Sequence, residues 1–229
     1  MKIGGFQKFT LIDYPGKLAA VVFTQGCNFR CPYCHNPELV YPKDFQQSIP
    51  TSQIFNFLKN RIGKLDAVSI TGGEPTLQNK LPEFMQKIKE MGFLIKLDTN
   101  GTNPEMIEQL ITSELVDYLA MDIKAPLMKY DDITKTKVNI ENIEKSILLI
   151  ENSGIEYEFR STLVKDLLSS EDVEDMGLML GKADKYFLQK FVLPAKLESK
   201  LNEFSSFSQD SLNLLIHKMQ GNFGEFLVR

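Results

Sequence analysis

The chain has 229 residues, of which 43% are hydrophobic and 24% are charged, with a formal net charge of −4 and a pI near 5.4. This length suits one domain with a single well-buried core. An acidic chain without a visible basic cluster is not expected to bind nucleic acid or an anionic membrane. No apolar run is long enough for a signal peptide or a membrane span, so we expect a cytoplasmic protein.

Short apolar or β-branched runs alternate with segments of helical period, which is the pattern of repeated βα units. Six strands are predicted: Leu18–Gln25, Ala67–Thr71, Leu94–Thr99, Tyr118–Lys124, Glu156–Val164 and Lys185–Leu193. The predicted helices are Ser52–Asn60, Leu81–Met91, Pro104–Ser113, Ile140–Asn152, Glu171–Leu180 and Ser211–Met219.

A complete eight-unit barrel takes about 250 residues, so six units predict an α/β fold with a partial, open (β/α)6 barrel of parallel strands. A doubly wound open sheet is the alternative. We assign residues 1–229 to one domain, with its core at about 18–193. Residues 194–229, which include Lys196, Lys200, Phe204 and Phe207, are interpreted as a C-terminal cap, edge strand or docking segment.

Several predicted strands carry polar residues at alternate positions, where buried strands are normally apolar. These positions are Ser69, Thr71, Lys96, Asp98, Asp122, Lys124, Glu158, Arg160 and Thr162. An unpartnered charge buried between a sheet and its helices costs on the order of several kcal/mol. The pattern therefore predicts a polar or ligand-filled lumen.

The three cysteines of the chain, Cys27, Cys31 and Cys34, lie within eight residues directly after the first predicted strand. In a reducing compartment such a cluster is more typical of metal ligands or redox groups than of disulfides. Thiolates favour iron–sulfur clusters or zinc, and closed sites normally have four protein ligands. Three ligands leave one metal position open, where a substrate or cofactor can bind.

Other interpretations of the cysteine motif fit less well. The segment Cys31–Cys34 alone matches a glutaredoxin-type redox pair, and with His35 it matches a c-type haem attachment motif. The redox pair has no use for Cys27, and haem attachment requires export from the cytoplasm. A zinc site made by the three cysteines and His35 is the non-enzymatic alternative, although adjacent residues rarely ligate one tetrahedral ion.

Further polar motifs follow the next predicted strands, at the edge where parallel α/β proteins bind ligands. The second strand leads into Thr71-Gly72-Gly73-Glu74-Pro75, whose glycines permit close backbone approach and whose carboxylate can accept from an ammonium. The third leads into Asp98–Gly101, and the fourth ends in Asp122-Ile123-Lys124. Each alone fits an ordinary turn or a solvated residue, but their common placement predicts one site.

Together these motifs resemble the radical S-adenosylmethionine superfamily. The resemblance rests on Cys27–Cys34, with Tyr33 before the last cysteine, and on Gly72-Gly73-Glu74-Pro75. The segments Asp13–Gly16, Cys34–Pro37, Asp98–Gly101 and Asp122–Lys124 narrow it to activating enzymes of glycyl-radical proteins, in particular those of anaerobic ribonucleoside-triphosphate reductase.

The resemblance implies a [4Fe–4S] cluster held by Cys27, Cys31 and Cys34, with S-adenosylmethionine on the fourth iron. Reductive cleavage would give a 5′-deoxyadenosyl radical that removes hydrogen from a glycine of the partner enzyme. The implied cofactor-binding residues are Tyr33, Gly72, Gly73, Glu74, Asp98, Thr99, Asp122, Lys124, Arg160 and Gln189. A monovalent cation is also implied at Asp98, Thr99 and Asp122.

The implied partners are a glycyl-radical protein, expected to be anaerobic ribonucleotide reductase, and reduced flavodoxin or ferredoxin as the electron donor. Two alternatives stay open. One is an activase of the pyruvate formate-lyase type, and the other is a small-molecule enzyme similar to the 7-carboxy-7-deazaguanine synthases. Because no cysteine remains for an auxiliary cluster, an activase is favoured over many small-molecule enzymes.

Overall fold

One eight-stranded sheet, with its strands in sequence order from edge to edge, organises the protein. A computed structural model describes residues 1–181, 183–193 and 204–229. Strands β2 to β8 run parallel to one another, and β1 pairs antiparallel with β2. The strands are β1 (Ile3–Thr10), β2 (Ala19–Thr24), β3 (Ala67–Gly72), β4 (Leu94–Thr99), β5 (Tyr118–Asp122), β6 (Glu156–Leu163), β7 (Lys185–Lys190) and β8 (Glu225–Val228).

Helices connect successive parallel strands. They are α1 (Thr51–Lys59), α2 (Leu81–Glu90), α3 (Pro104–Thr112), α4 (Tyr130–Thr134), α5 (Ile140–Glu151), α6 (Ser170–Met179) and α7 (Gln209–Met219). Local signals fix several starts: the Asn103 side chain accepts the Met106 N–H ahead of α3, and Ser169 with Asp172 forms a capping box at α6. Within the described ranges, no helix is long and apolar enough to cross a bilayer.

The prediction of an open α/β sheet of parallel strands is confirmed, and its six strands correspond to β2–β7. The sequence did not predict β1 as a strand, because its segment is rich in glycine and polar residues and only Ile3 and Thr10 are buried. Edge strands such as β1 and the four-residue β8 pair through the backbone and need no apolar run. Lys196 and Lys200 lie outside the described residues, and the division into core and terminal segment stays a prediction.

The two faces of the strands differ as their alternation predicts. Ile95, Leu97 and Met121 are fully buried in the main hydrophobic core. Lys96, Asp98 and Arg160, at positions of the other parity, meet in ion pairs that link β4 to β6. Because side chains from β3 to β7 line one cavity, the sheet curves around a polar lumen.

The opposite end of the sheet is closed by aromatic side chains. Tyr14, in the turn between β1 and β2, packs against Tyr118 with ring centroids 5.6 Å apart. The Asp13 carboxylate in the same turn accepts a hydrogen bond from the Thr10 hydroxyl. The segment Asp13–Gly16 therefore lies at the amino-terminal end of β2, away from the cysteines that follow its carboxyl end.

Candidate functional site

A cavity of about 250 Å³ lies at the carboxyl ends of the parallel strands. Every site residue predicted from the sequence lines it: Cys27, Cys31, Tyr33, Cys34, Gly72, Gly73, Glu74, Asp98, Thr99, Asp122, Lys124, Arg160 and Gln189. The lining also includes residues to which the sequence assigned no cofactor-binding role: Phe29, His35, Asn36, Val40, Thr71, Asn100 and Thr162. Of these, Thr71, Asn100 and Thr162 lie in the strands or segments that were predicted to face this site. The roles of the predicted residues remain predictions.

The cysteine loop is shaped by backbone hydrogen bonds. The Gly26 N–H donates to the Leu39 carbonyl at 2.7 Å, which closes the loop. The Arg30 guanidinium donates to the carbonyls of Cys27 and Phe29, each at 2.7 Å. No disulfide joins the three half-buried thiols, and burial, followed by the nearby Glu74 charge, raises the pKa of Cys27 to about 12. The loop thus presents three unbridged thiols to one cavity.

The two glycines after β3 bring that turn against the cysteine loop. The Gly73 N–H donates to the Thr24 carbonyl at 2.9 Å, and the Glu74 N–H donates to the Gly26 carbonyl at 2.7 Å. A Cβ on Gly73 would lie 2.1 Å from the Gly26 oxygen, and Gly72, at φ +117°, would place one 2.3 Å from the Thr24 nitrogen. Only glycine permits this contact between the loops.

Glu74 is the centre of a buried hydrogen-bond cluster and is 1% exposed. Its Oε1 accepts from the Thr76 N–H at 3.1 Å, the Thr76 hydroxyl at 2.6 Å and the Thr99 hydroxyl at 2.8 Å. Among the described residues, its Oε2 accepts from the Asn100 N–H alone, at 2.7 Å, and so keeps acceptor capacity. Burial raises the pKa of Glu74, although the four hydrogen bonds act against that shift.

Asn100 extends this cluster to the cysteine loop. Its side-chain amide donates to the Asn28 Oδ1 at 2.9 Å, and the Asn28 amide donates to the Thr102 hydroxyl at 2.8 Å. The sequence placed Asn100 in the Asp98–Gly101 segment of the predicted site but gave it no role of its own. The structure shows that it links three loops around the cavity.

Replacing Glu74 with glutamine is expected to lower the free energy of unfolding by about 1–3 kcal/mol. An amide nitrogen cannot accept a hydrogen bond, so at least one buried donor loses its partner. Urea denaturation of the purified protein measures the change. Glu83→Gln, at an exposed position on α2, should change stability by less than about 0.5 kcal/mol. Equal stability of the two variants would show that the cluster does not hold the loops.

Deeper in the lumen, Arg160 joins two aspartates. Its Nε lies 2.9 Å from Asp122 Oδ1, and its Nη1 lies 3.5 Å from Asp98 Oδ1. Lys124 contacts the second oxygen of Asp122 at 3.1 Å, and Lys96 contacts Asp98. Burial alone would raise the pKa of Asp122, but Arg160 and Lys124 lower it to about 2. Both aspartates are therefore carboxylates at neutral pH.

The same network extends to Glu158, which accepts from the Tyr118 hydroxyl at 2.9 Å and lies 3.5 Å from Arg229. The ion pairs among these residues join four cations to three carboxylates. The cations are Lys96, Lys124, Arg160 and Arg229, and the carboxylates are those of Asp98, Asp122 and Glu158. In the lining of the cavity itself, Lys124 and Arg160 stand against three carboxylates, Glu74, Asp98 and Asp122, so these two cations offer directed contacts to an anionic ligand group without a net positive charge.

The predicted monovalent-cation ligands already have partners. Asp98 and Asp122 pair with protein cations, and the Thr99 hydroxyl donates to Glu74. Across the described part of the chain, no group of three His, Cys, Asp or Glu side chains is arranged to hold a single metal ion. The cation site stays a prediction.

Replacing Arg160 with methionine is expected to destabilise the protein by about 3–5 kcal/mol, since it leaves buried carboxylates without their main cation. Arg160 is 14% exposed, whereas Lys145 is 47% exposed and pairs with Glu105 at the surface. Lys145→Met should cost less than about 1 kcal/mol. Thermal and urea unfolding of both variants tests this contrast, and a cost for Arg160→Met as small as that of the surface control would contradict it.

The residues fit a cluster with an open iron and S-adenosylmethionine beside it. Three cysteines line the cavity and supply the soft ligands that iron–sulfur clusters take. The Tyr33 hydroxyl, also at the cavity, is buried and has no hydrogen-bond partner among the described residues. Lys124 and Arg160 at the cavity can pair with a carboxylate, and Gly72 and Gly73 line it with backbone alone.

A curved parallel sheet with a cysteine loop at its carboxyl edge defines a cofactor-dependent enzyme of the α/β-barrel class. The match to a family model is specific: the model of the Radical SAM superfamily matches residues 21–179. The chain belongs to the radical SAM superfamily, whose enzymes use a [4Fe–4S] cluster and S-adenosylmethionine. This confirms the family, enzyme class and cofactors predicted from the cysteine and glycine motifs.

Similar proteins include enzymes named for glycyl-radical activation. A Methanocaldococcus jannaschii protein, provisionally named a glycyl-radical enzyme activating enzyme, is 35% identical over 96% of this chain and 98% of its own length. The pyruvate formate-lyase-activating enzyme of Clostridium pasteurianum is 30% identical over 75% of this chain and 72% of its length.

A solved structure supports the fold. Streptococcus suis SuiB bound to S-adenosylmethionine matches with a TM-score of 0.69 at 14% identity, and the match covers 91% of this chain and 49% of that one. At this identity the likeness concerns the fold alone. The chain spans about half the length of that neighbour.

Proposed function

We propose that this protein activates a glycyl-radical enzyme, with anaerobic ribonucleoside-triphosphate reductase as its partner. The observation that carries the proposal is the meeting of three cysteines, the Gly72–Glu74 turn and the side chains of Lys124 and Arg160 at one cavity. The match along nearly the whole chain to a protein named as an activating enzyme supports the activity. The resemblance of Asp98–Gly101 and Asp122–Lys124 to reductase activases supports the choice of partner.

When bound, the cofactors supply one-electron cleavage of S-adenosylmethionine to methionine and a 5′-deoxyadenosyl radical. In this proposal Cys27, Cys31 and Cys34 would hold the cluster and leave one iron open to S-adenosylmethionine. The Gly72–Gly73 backbone and the remaining acceptor capacity of Glu74 Oε2 would accept hydrogen bonds from its amino group. Tyr33 contacts the adenine.

The lumen residues orient the remaining groups. Lys124 and Arg160 would bind the cofactor carboxylate or ribose. Asp98 and Asp122 hold these cations in place, or share a monovalent cation with Thr99 and the cofactor, and Gln189 contacts the ribose or adenine. A cavity that excludes water and fixes the reacting groups is required, since a primary alkyl radical reacts with any nearby C–H bond.

The proposed electron donor is reduced flavodoxin or ferredoxin, and the proposed location is the reducing cytoplasm, where clustered thiols stay reduced. The partner glycine is a suitable target, because its Cα radical is stabilised by the flanking amide groups and no side chain blocks approach.

Electron paramagnetic resonance of a partner protein tests the proposal. The reconstituted enzyme, S-adenosylmethionine and a reductant are incubated anaerobically with anaerobic ribonucleotide reductase, and a glycyl-radical doublet is expected on the reductase. A doublet on a pyruvate formate-lyase-type protein alone would change the partner but keep the activity. Release of 5′-deoxyadenosine with no radical on either protein would favour a small-molecule substrate.

A further inference from the structure

A second depression lies on the outer side of the cysteine loop, and its charged lining residues are all cationic. It has a volume of about 510 Å³ and includes Lys2, Arg30, Phe45, Leu77 and Lys80 in its lining. Three of its lining residues are cationic and none is Asp or Glu. On a chain with a net charge of −4 this is a local reversal of charge. We call this surface the outer depression.

The outer depression borders the cysteine site through a single cysteine. Cys27 and Val40 line both this depression and the cavity that holds the other site residues. Cys31 and Cys34 line only the inner cavity. Cys27 is therefore the one of the three cysteines that borders a molecule seated in the outer depression.

The cations of this surface are available to a partner. The side chains of Lys2 and Lys80 are exposed, and no salt bridge joins Lys2, Arg30 or Lys80 to a carboxylate in the described part of the chain. Arg30 lies with its guanidinium 5.3 Å from the centre of the Tyr41 ring, which is 37% exposed. Leu77, 41% exposed, and Phe45 add apolar surface among the cations of the depression.

We propose that the outer depression is the docking surface for an acidic one-electron donor protein. This inference rests on the proposed function, because reductive cleavage needs one electron per turnover and the inner cavity is assigned to the cofactor and the partner glycine. Seated on this surface, the donor gives one electron to the cluster on the side of Cys27 and is itself oxidised by one electron. Complementary charge speeds such encounters and sets their orientation.

The test compares two doubly substituted proteins of equal net charge, each reconstituted with its cluster. Lys2→Glu with Lys80→Glu reverses the charge of the outer depression. Lys59→Glu with Lys64→Glu makes the same change at two exposed positions, the last residue of α1 and the turn after it, near the amino-terminal ends of the strands. Arg30 is left intact because it shapes the cysteine loop.

Two readouts are measured. Calorimetry gives the Kd for oxidised flavodoxin, and stopped-flow absorbance gives the rate at which flavodoxin hydroquinone reduces the cluster. Reversal at the depression is expected to weaken binding and slow reduction by about tenfold or more at low salt, and high salt should narrow the difference. Unchanged values for this variant, or an equal loss in the control, would overturn the docking surface.

A small uncharged reductant separates this inference from the proposed function. Photoreduced deazaflavin needs no docking surface, so both variants should release 5′-deoxyadenosine at the wild-type rate with it. If none of the proteins released 5′-deoxyadenosine, the proposed function would fail, while the Kd comparison would still decide the docking surface. A loss with deazaflavin confined to the depression variant would show damage to the site and overturn the docking interpretation.

Discussion

Replacing Cys31 with alanine is expected to remove the iron–sulfur absorbance of the reconstituted protein and to lower 5′-deoxyadenosine release more than about 100-fold. Loss of an outer partner of a metal ligand already costs about 10–100-fold in metal affinity or activity. Cys31 is a direct ligand in this account, and the chain has only two other cysteines. Iron and sulfide analysis with the visible spectrum measures the loss.

His35→Ala is the matched control for metal loading. His35 lines the same cavity and follows Cys34 directly, so a site of three cysteines and one histidine would lose its metal in both variants. The three-thiol cluster predicts that His35→Ala keeps the iron and sulfide of the wild type. Equal loss of metal in the two variants would support the zinc alternative.

Replacing Gly73 with alanine is expected to weaken S-adenosylmethionine binding by about 100-fold. The added Cβ would lie 2.1 Å from the Gly26 oxygen and 2.6 Å from its carbonyl carbon, so the glycine turn and the cysteine loop must separate. That separation also breaks the 2.7 Å hydrogen bond from the Glu74 N–H to Gly26. A misplacement of about 1 Å at a catalytic site can cost about 100-fold. Calorimetry on the reconstituted protein measures the affinity.

Gly221→Ala provides the control for this substitution. Gly221 has no heavy atom within 4 Å of the position that a Cβ would take, and its φ is not in the left-handed region. Its replacement should leave both affinity and stability unchanged. Wild-type affinity in the Gly73 variant would show that close contact between the two loops is not needed for binding.

The central strands were predictable because most of their residues are buried, and buried strands appear in the sequence as short apolar or β-branched runs. Each predicted parallel strand appears within a few residues of its expected place, and alternate charges such as Lys96 and Asp98 correctly indicated a polar lumen. Strand β1 and the short helix α4 were missed. The first pairs mainly through its backbone, and the second spans only five residues.

The site was predictable where motifs follow strands, and less so where loops meet. Cys27, Glu74 and Asp98 lie at or just after the carboxyl ends of successive parallel strands, so the sequence placed them at the same edge of the sheet. The link from Glu74 through Asn100 to Asn28 depends on how three loops pack, which no local pattern records. The contact of Arg229 with Glu158 likewise depends on β8 pairing beside β7.

Release of 5′-deoxyadenosine is the measurement that tests the central claim most directly. The anaerobically reconstituted protein is given S-adenosylmethionine and dithionite, with Cys31→Ala treated in parallel. The account predicts product from the wild type and only background from the variant. A protein fully loaded with its [4Fe–4S] cluster that released none, even with candidate partners present, would contradict the radical mechanism.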